Sequence, residues 1–379
     1  RLMPQEKWKK PSETGPKELR LFNQLLIVII LDSNNMGIFD KLKDVVGKAV
    51  VTVPTIKATM LGPRAVGKTS IMASIFSDSR QEVAGTRLSF IPQESCANKL
   101  TLKKAKLQDI IDKRKEFADK PNTGAIEASN TETSFDFDMG LKDRSKSINI
   151  SIKDFPGEYL DSKPEEVSNF IEESHIVMIA VDTPYLMEEN GKYNEEKNEV
   201  KHVISFFTNH AKSLKNKFIL IVPLKCERYF HDGIIEEVTD KIEEVYFSLI
   251  DFCKGNNMAC AVTPIQTLGG VEFDRFVNNN NSMSALSKLS SYRFYGDNPE
   301  YQPMFCVQPL YYLLTYVANY YEWSKAHPKG FLDKLKDSLT QFLKDDDEFL
   351  HEIKILSSKM KVDDFGYRIL NNNTILNIK

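Results

Sequence analysis

The amino-acid sequence predicts an α/β fold of three layers, in which a mostly parallel six-stranded sheet with one antiparallel hairpin strand lies between helices. Three observations predict this fold. Apolar runs alternate with amphipathic segments along most of the chain, as they do when strands and helices alternate around a parallel sheet. Several of these runs are apolar throughout, which is typical of strands buried on both faces. One pair of runs instead alternates apolar and polar residues around a short polar turn, which is typical of a hairpin.

Six segments have the composition of strands. Runs such as IVMIAVD and FILIVPL contain almost no polar residue before their ends. Phe135 and Phe137 in one segment, and Ile148 and Ile150 in the next, alternate with polar residues on either side of the turn KDRSK, so these two strands should pair antiparallel. The predicted strands are 55–61, 133–141, 147–153, 176–182, 217–224 and 258–263.

Helices are predicted between the strands, and two regions lie outside this alternation. The predicted helices are 68–77, 164–173, 193–215, 233–254 and 308–322. The interval 78–132 contains a predicted helix at 99–119 and the polar segment KPNTGAIEASNTET, so we interpret it as an insertion or a long loop, which is usually functional or disordered. The chain is thereby divided into a leader at 1–35, an amphipathic helix at 36–51, a main domain at 52–322 with this insertion, and a C-terminal helical extension at 323–379.

The N-terminal region has two interpretations. The apolar run LLIVIIL at 25–31 is too short to span a bilayer, and the residues after it do not form a signal-peptide cleavage site. Residues 1–35 are therefore either a non-native or disordered leader before a natural start at Met36, or an ordered strand or helix. The segment 36–51 has an apolar helical stripe and mixed charges on its polar face. This favours packing on the protein over peripheral contact with a membrane, and no integral membrane segment is expected.

Composition restricts the partners and the compartment. The 379 residues carry a net charge of −3, which gives no electrostatic reason to expect nucleic acid. Lysines are dense around 99–115, but acidic residues lie among them, which favours a solvated helix face over a binding patch. The five cysteines form no CxxC pair and no cluster with histidine, so we expect free thiols in the cytoplasm.

The segment GPRAVGKTS predicts a phosphate-binding loop. It has the spacing Gly-x4-Gly-Lys-Thr, with an apolar strand before it and a helix after it, as the loop of P-loop NTPases requires. Glycines let backbone N–H groups converge on phosphates, and the helix N-terminus adds its dipole. We expect Lys68 to contact the β- and γ-phosphates and Thr69 to bind Mg²⁺. The nucleotide-binding residues predicted here are Gly62, Arg64, Ala65, Val66, Gly67, Lys68, Thr69 and Ser70.

A second motif, DFPGE, follows the strand predicted at 147–153. Asp154 at the end of this strand is predicted to hold Mg²⁺. The backbone N–H of Gly157, three residues later, can approach a γ-phosphate. Asp182 ends a more apolar strand and is the competing acid, but it lacks the following glycine, so Asp154 is preferred.

The two motifs together resemble the P-loop GTPases of the translation-factor and Ras-like class. With VDTPYL, TPIQTLGG and CVQPLYYLL, the chain is similar in particular to the bacterial double-GTPase-type proteins, over residues 55–322. That class reads guanine with Asn-Lys-x-Asp, where this chain has LKCE. Lys225 matches the family's Lys, whereas Leu224 replaces its Asn and Glu227 replaces its Asp. The resemblance therefore implies base recognition by Lys225 and Glu227.

The same resemblance implies further site residues. Thr263 and Pro264 occupy the place of the family's Ser-Ala, which lies over the base. Glu158 occupies the place of a water-orienting Gln, and its carboxylate would repel the γ-phosphate, so slow hydrolysis is expected. Arg64 lies where Ras-like proteins favour Gly; it either supplies a positive charge to the reaction or points into solvent, and solvent is favoured. A switch residue should also bind Mg²⁺. Thr131 is assigned this role, and Thr123 and Ser129 are the alternatives.

The sequence therefore predicts a Mg²⁺-dependent GTP-binding protein and slow GTPase, with Lys68, Glu158 and Arg64 as its catalytic residues. It would act as a molecular switch with a protein effector or regulator. GTP is favoured over ATP because Glu227 keeps the carboxylate that accepts from guanine. The alternatives are a nucleotide-binding scaffold that does not hydrolyse and an ATP-specific NTPase. A small-molecule kinase is disfavoured because no arginine-rich lid segment is found.

Overall fold

A computed structural model describes most of the chain from residue 53 onwards. The described residues are 53–113, 121, 132–145, 147–214, 217–278, 288–326, 339, 342 and 347–373. The leader predicted at 1–35, the amphipathic helix predicted at 36–51 and the switch residue Thr131 lie outside them.

The strands form two sheets within the described residues. The strands of the central sheet are β1 (Thr55–Leu61), β2 (Leu88–Pro92), β3 (Thr133–Leu141), β4 (Ser147–Asp154), β5 (Ile176–Asp182), β6 (Phe218–Leu224), β7 (Ala259–Val262) and β10 (Arg368–Asn371). Their order across the sheet is β10-β7-β6-β5-β1-β4-β3-β2. A separate antiparallel hairpin contains β8 (Val271–Asn278) and β9 (Lys288–Phe294).

Helices connect the strands on both sides of the sheet. They are α1 (Lys68–Ala84), α2 (Glu94–Asp112), α3 (Tyr159–Ser162), α4 (Pro164–Glu173), α5 (Thr183–Met187), α6 (Asn194–Asn198), α7 (Val200–Asn209), α8 (Ala211–Leu214), α9 (Glu227–His231), α10 (Ile235–Val245), α11 (Phe247–Gly255), α12 (Gln308–Ala326) and α13 (Asp347–Ser357). A short 3₁₀ helix occupies Glu188–Gly191. Among the described helices, none is long and apolar enough to cross a membrane.

The predicted fold class is confirmed, and the sheet has two strands more than the six that the sequence predicted. β1 pairs parallel with β4 and β5, β6 pairs parallel with β5 and β7, and β3 pairs antiparallel with β4. The additional β2 and β10 are edge strands of five and four residues. Edge strands so short carry too little periodicity to be recognised. β10 also depends on a distant partner, since Arg368 lies opposite Val262.

Several predicted helices differ in their bounds. The single helix predicted at 193–215 is divided among α6, α7 and α8, because Glu199 between the first two has a left-handed backbone with φ 51°. The helix predicted at 233–254 is likewise α10 and α11. In the insertion, α2 begins at Glu94, five residues before the predicted start, and the residues before it form β2.

Two apolar layers cover the sheet. Alternate residues of β1, such as Ala58 and Met60, are buried with α1, α12 and α13 on one face. The residues of β5 that point the other way, such as Val177 and Ile179, are buried with α4, α7, α10 and α11. The described part of the C-terminal extension thus joins the main core through α13 and the main sheet through β10. The carboxyl ends of β1, β4, β5 and β6 meet at one edge, where ligands bind in such sheets.

Candidate functional site

The loop between β1 and α1 has a backbone that only glycine permits at two positions. Gly62 has φ 139°, and a Cβ there would lie 2.6 Å from the carbonyl oxygen of Ala180. Gly67 has φ 115° immediately before α1. These conformations are strained for residues with a side chain. The loop therefore turns sharply against the sheet edge and leads directly into the N-terminus of a 17-residue helix.

Lys68 is folded back over this loop. Its Nζ donates to the carbonyl oxygens of Gly62 at 2.8 Å and Pro63 at 3.1 Å, and lies 3.9 Å from Asp154 Oδ1. Burial lowers the pKa of Lys68, while the negative charges of Asp154 and Glu158 oppose this shift. The ammonium group is therefore held at the centre of the loop by acceptors that an anionic ligand could replace.

Thr69 and Asp154 meet beside the loop. The Thr69 hydroxyl donates to Asp154 Oδ2 at 3.0 Å, because Asp154 lies opposite Met60 in the pairing of β4 with β1. Asp154 Oδ1 is buried and accepts no hydrogen bond. Burial raises the pKa of Asp154, and the charge of Lys68 opposes this shift.

A hydroxyl group and a carboxylate oxygen that lacks a hydrogen-bond donor are suitable ligands for Mg²⁺, which also retains water molecules and binds phosphate. Thr69 and Asp154 therefore fit this ion. Within the described ranges, no group of three or more His, Cys, Asp or Glu side chains is arranged to hold a metal ion.

The segment after β4 contacts the loop closely. A Cβ on Gly157 would lie 3.0 Å from the Gly62 carbonyl oxygen and 3.4 Å from the Arg64 nitrogen. Glycine at this position thus permits the backbone of the DFPGE segment to pack against the loop.

Asp182, the alternative to Asp154 as a predicted Mg²⁺ ligand, forms an ion pair instead. Its Oδ2 accepts from Lys225 Nζ at 2.5 Å, and the same Nζ donates to the carbonyl oxygen of Ala65 at 3.2 Å. Burial disfavours the Lys225 cation, but the neighbouring Asp182 and Tyr292 together outweigh burial and raise the pKa of Lys225. Lys225 therefore ties the end of β6 to the loop.

Glu227 organises the segment after β7. Its Oε1 accepts from the backbone N–H groups of Thr267 at 2.6 Å and Leu268 at 2.7 Å. Burial raises the pKa of Glu227, whereas these backbone hydrogen bonds act to lower it. The carboxyl group thus lies at the site and holds the segment that forms its wall.

These elements surround one cavity of about 410 Å³. Ten of the residues predicted from the sequence line it, namely Arg64, Ala65, Val66, Gly67, Lys68, Thr69, Ser70, Asp154, Lys225 and Glu227. Gly62 and Gly157 lie behind the lining, where they shape the loop. Arg64 is exposed at the rim, as the solvent-facing interpretation expected.

Three predicted residues do not lie at the cavity. Glu158 is exposed at the start of α3. Thr263 and Pro264 are buried outside the lining of the cavity, and their position over a base stays a prediction. They lie outside the lining because the chain continues along β6 beyond the end of β7, where the Thr263 N–H donates to the Ile221 carbonyl group. The chain turns only after this point, and Thr267 and Leu268 line the cavity instead.

The outer wall of the cavity was not predicted from the sequence. Side chains of the β8–β9 hairpin, of α2 and of the segments after β5 line it, namely Lys103, Leu107, Tyr185, Lys197, Val271, Leu289, Ser290 and Tyr292. The alternation in VEFDRFVN could have indicated β8. This alternation breaks off after Phe273, where the pairing of β8 with β9 shifts register between Phe273 and Arg275.

The charge lining the cavity is positive overall. It comes from five cationic side chains, those of Arg64, Lys68, Lys103, Lys197 and Lys225, and from three carboxyl groups, those of Asp154, Asp182 and Glu227. Lys197 donates to the Arg64 carbonyl oxygen at 2.7 Å, and burial lowers its pKa. Burial disfavours several cations held together, so the arrangement suits a polyanionic ligand.

Comparison with known proteins identifies one matching family. The family model described as Double-GTPase 2 matches residues 58–259. The chain matches no curated protein.

Among solved structures, the chain is similar to the GTPase-like domain of Ski7 from S. cerevisiae, in one crystal structure with GDP and inorganic phosphate bound and in another with GTP bound. The sequence identities are 14% and 13%, and the TM-score is 0.33 for both. Each match covers 59% of this chain and 45% of the other chain, so less than half of the neighbour's length is matched.

Proposed function

The chain belongs to the Double-GTPase 2 family, and from that premise we propose that it binds GTP with Mg²⁺ and hydrolyses it slowly to GDP and phosphate. One observation carries the proposal: Lys68, Thr69 and Asp154 converge beside a glycine-shaped loop at the N-terminus of α1. This arrangement provides a cation, a hydroxyl group and a carboxylate where a polyphosphate would meet the helix dipole. The nucleotide state would act as a switch that a protein effector or regulator reads in the cytoplasm.

Binding of the phosphates would replace existing contacts of the protein. The Lys68 ammonium group would exchange the carbonyl oxygens of Gly62 and Pro63 for phosphate oxygens, which are stronger acceptors because they are charged. Thr69 and Asp154 would hold Mg²⁺, which neutralises phosphate charge when bound. Thr131 remains a predicted third ligand of this ion.

Guanine recognition would depend on Glu227 and Lys225. Glu227 lines the cavity while its Oε1 serves the backbone of Thr267 and Leu268. A carboxylate in this position can accept from the N1–H and the exocyclic amine of guanine, whereas adenine presents no such pair of donors. The apolar side chains of Leu268 and Tyr292 would contact the base. These features support GTP over ATP.

Slow turnover is expected from the positions of Glu158 and Arg64. Hydrolysis requires an oriented water molecule and compensation of charge on the γ-phosphoryl oxygens. Glu158 is exposed beyond the lining, and Arg64 is exposed at its rim. We therefore propose that Lys68 acts in every turnover, while Glu158 and Arg64 reach the nucleotide only when a partner repositions them.

Calorimetry with GTP and ATP, with and without Mg²⁺, tests binding, and release of phosphate tests turnover. The Lys68→Ala variant should lose binding and turnover. Lys241→Ala is the matched control, because Lys241 pairs with Glu244 on the surface of α10, and it should retain both. Absence of binding by the unmutated protein to either nucleotide would end the proposal.

A second candidate function is a nucleotide-binding scaffold that does not hydrolyse, and the exposed position of Glu158 favours it. In that case GTP at 100 times its Kd would stabilise the protein by about 2.7 kcal/mol, while no phosphate would be released. The two functions therefore make the same prediction for binding and opposite predictions for turnover. An ATP-specific enzyme is distinguished by competition between the two nucleotides.

A further inference from the structure

The insertion helix α2 lies over the phosphate end of the cavity. Leu100 on this helix is buried in the main core, and Leu107, two turns later, packs with Leu268 and Val271 beside the cavity. α2 therefore bridges the main core and the wall of the cavity, although the alternation of strands and helices does not require it.

Polar contacts fix the rotation of α2 about its axis. On one side, Lys99 Nζ donates to Thr133 Oγ1 at 2.9 Å, and Thr133 lies opposite Asp154 in the pairing of β3 with β4. On the other side, Lys104 Nζ donates to Ser77 Oγ on α1 at 2.5 Å. Residues four apart lie on the same face of a helix. Lys103 therefore lies between Lys99 and Leu107 on the face that is directed to the cavity.

Lys103 lines the same cavity as Lys68, Thr69 and Asp154. Burial raises the pKa of Asp154, and the charges of Lys68, Lys99 and Lys103 all oppose that shift. The positive charge of Lys103 thus acts on the carboxyl group that would hold Mg²⁺, at the end of the cavity where the terminal phosphate would lie.

The other cavity lysines are engaged with the loop itself. Lys68 donates to the Gly62 carbonyl oxygen, Lys197 to that of Arg64 and Lys225 to that of Ala65. Lys103 reaches the cavity from the insertion helix α2.

We infer that Lys103 contacts the terminal phosphate of the bound nucleoside triphosphate, and that α2 thereby distinguishes the triphosphate from the diphosphate. This inference rests on the proposed function. It assigns to the insertion the charge compensation that Arg64, exposed at the rim, does not provide from within the loop.

The test compares the affinities for GDP and for a thiophosphate analogue of GTP that resists hydrolysis, both with Mg²⁺. Lys103→Gln should weaken binding of the triphosphate about tenfold, which corresponds to about 1.4 kcal/mol, and leave the affinity for GDP unchanged. Lys103→Arg should retain the preference for the triphosphate. Lys106→Gln is the matched control, because Lys106 is exposed on the same helix and is not among the residues that line the cavity, and it should leave both affinities unchanged.

Two outcomes would overturn the inference. Equal weakening of both ligands by Lys103→Gln would mean that Lys103 only balances the charge of Asp154, and unchanged affinity for both would mean that it contacts neither. Urea unfolding of the Gln and Arg variants separates a loss of folding from a loss of contact. Failure of the unmutated protein to bind either ligand would instead refute the proposed function, so the two failures are distinguishable.

Discussion

Replacing Lys225 by methionine should destabilise the protein by about 4 kcal/mol at pH 7. The substitution removes the cation 2.5 Å from Asp182 Oδ2, and the Asp182 side chain is fully buried. At an effective dielectric constant of about 20, the lost attraction is roughly 6 to 7 kcal/mol. Relaxation and water penetration recover part of this energy, and the removal of one partner of a buried ion pair typically costs about 3 to 5 kcal/mol.

Urea unfolding at pH 7 measures this loss, and a double variant supplies the control. The double variant Asp182→Asn, Lys225→Met carries neither charge of this ion pair. Its free energy of unfolding should therefore lie within about 2 kcal/mol of that of the unmutated protein. Nucleotide affinity should not recover in the double variant, because the link from Lys225 to the Ala65 carbonyl group is still missing. A loss below about 1 kcal/mol at pH 7, or a double variant no more stable than Lys225→Met alone, would refute the reasoning.

Three further predictions concern other positions. Gly157→Ala should weaken GTP binding at least tenfold, because its Cβ would lie 3.0 Å from the Gly62 carbonyl oxygen and displace the loop; unchanged affinity in calorimetry would contradict this. Glu227→Gln should weaken binding of GTP about tenfold and leave that of ATP unchanged, since the amide oxygen can keep the contacts of Oε1 with Thr267 and Leu268 while the NH2 group cannot accept from guanine; a constant ratio of the affinities would exclude base recognition here. Burial lowers the pKa of His175 to about 3, so the unfolded chain binds the extra proton as pH falls from about 6.5 towards 3, and the free energy of unfolding should decrease by about 1.4 kcal/mol per pH unit from this group. The His175→Gln variant should show a flatter dependence in urea unfolding at pH 4 to 7, and an identical slope would disprove the assignment.

The part of the fold that the sequence predicted is the part governed by local patterns. The strands β5 and β6 are apolar over almost their full length, and the loop before α1 is specified by glycines whose backbone other residues cannot adopt. These signals lie within a few residues of the structure they specify. They placed the loop, Lys68, Thr69 and Asp154 correctly at the edge of the sheet.

The parts that were missed depend on contacts between distant segments. β10 has four residues and pairs with β7 more than 100 residues away. The position of Thr267 at the cavity depends on how far the chain continues along β6, which the sequence does not specify. Lys103 looked like one of many solvated lysines, and only the packing of α2 against Leu268 and Val271 brings it to the site.

α2 and the hairpin meet across the cavity through a small apolar cluster of Leu107, Leu268 and Val271. Ile110 and Ile111 of α2 belong to the same cluster. Because this cluster holds the insertion against the wall of the cavity, a change in the volume of these apolar side chains would shift Lys103 relative to the loop while every polar group of the lining stays the same.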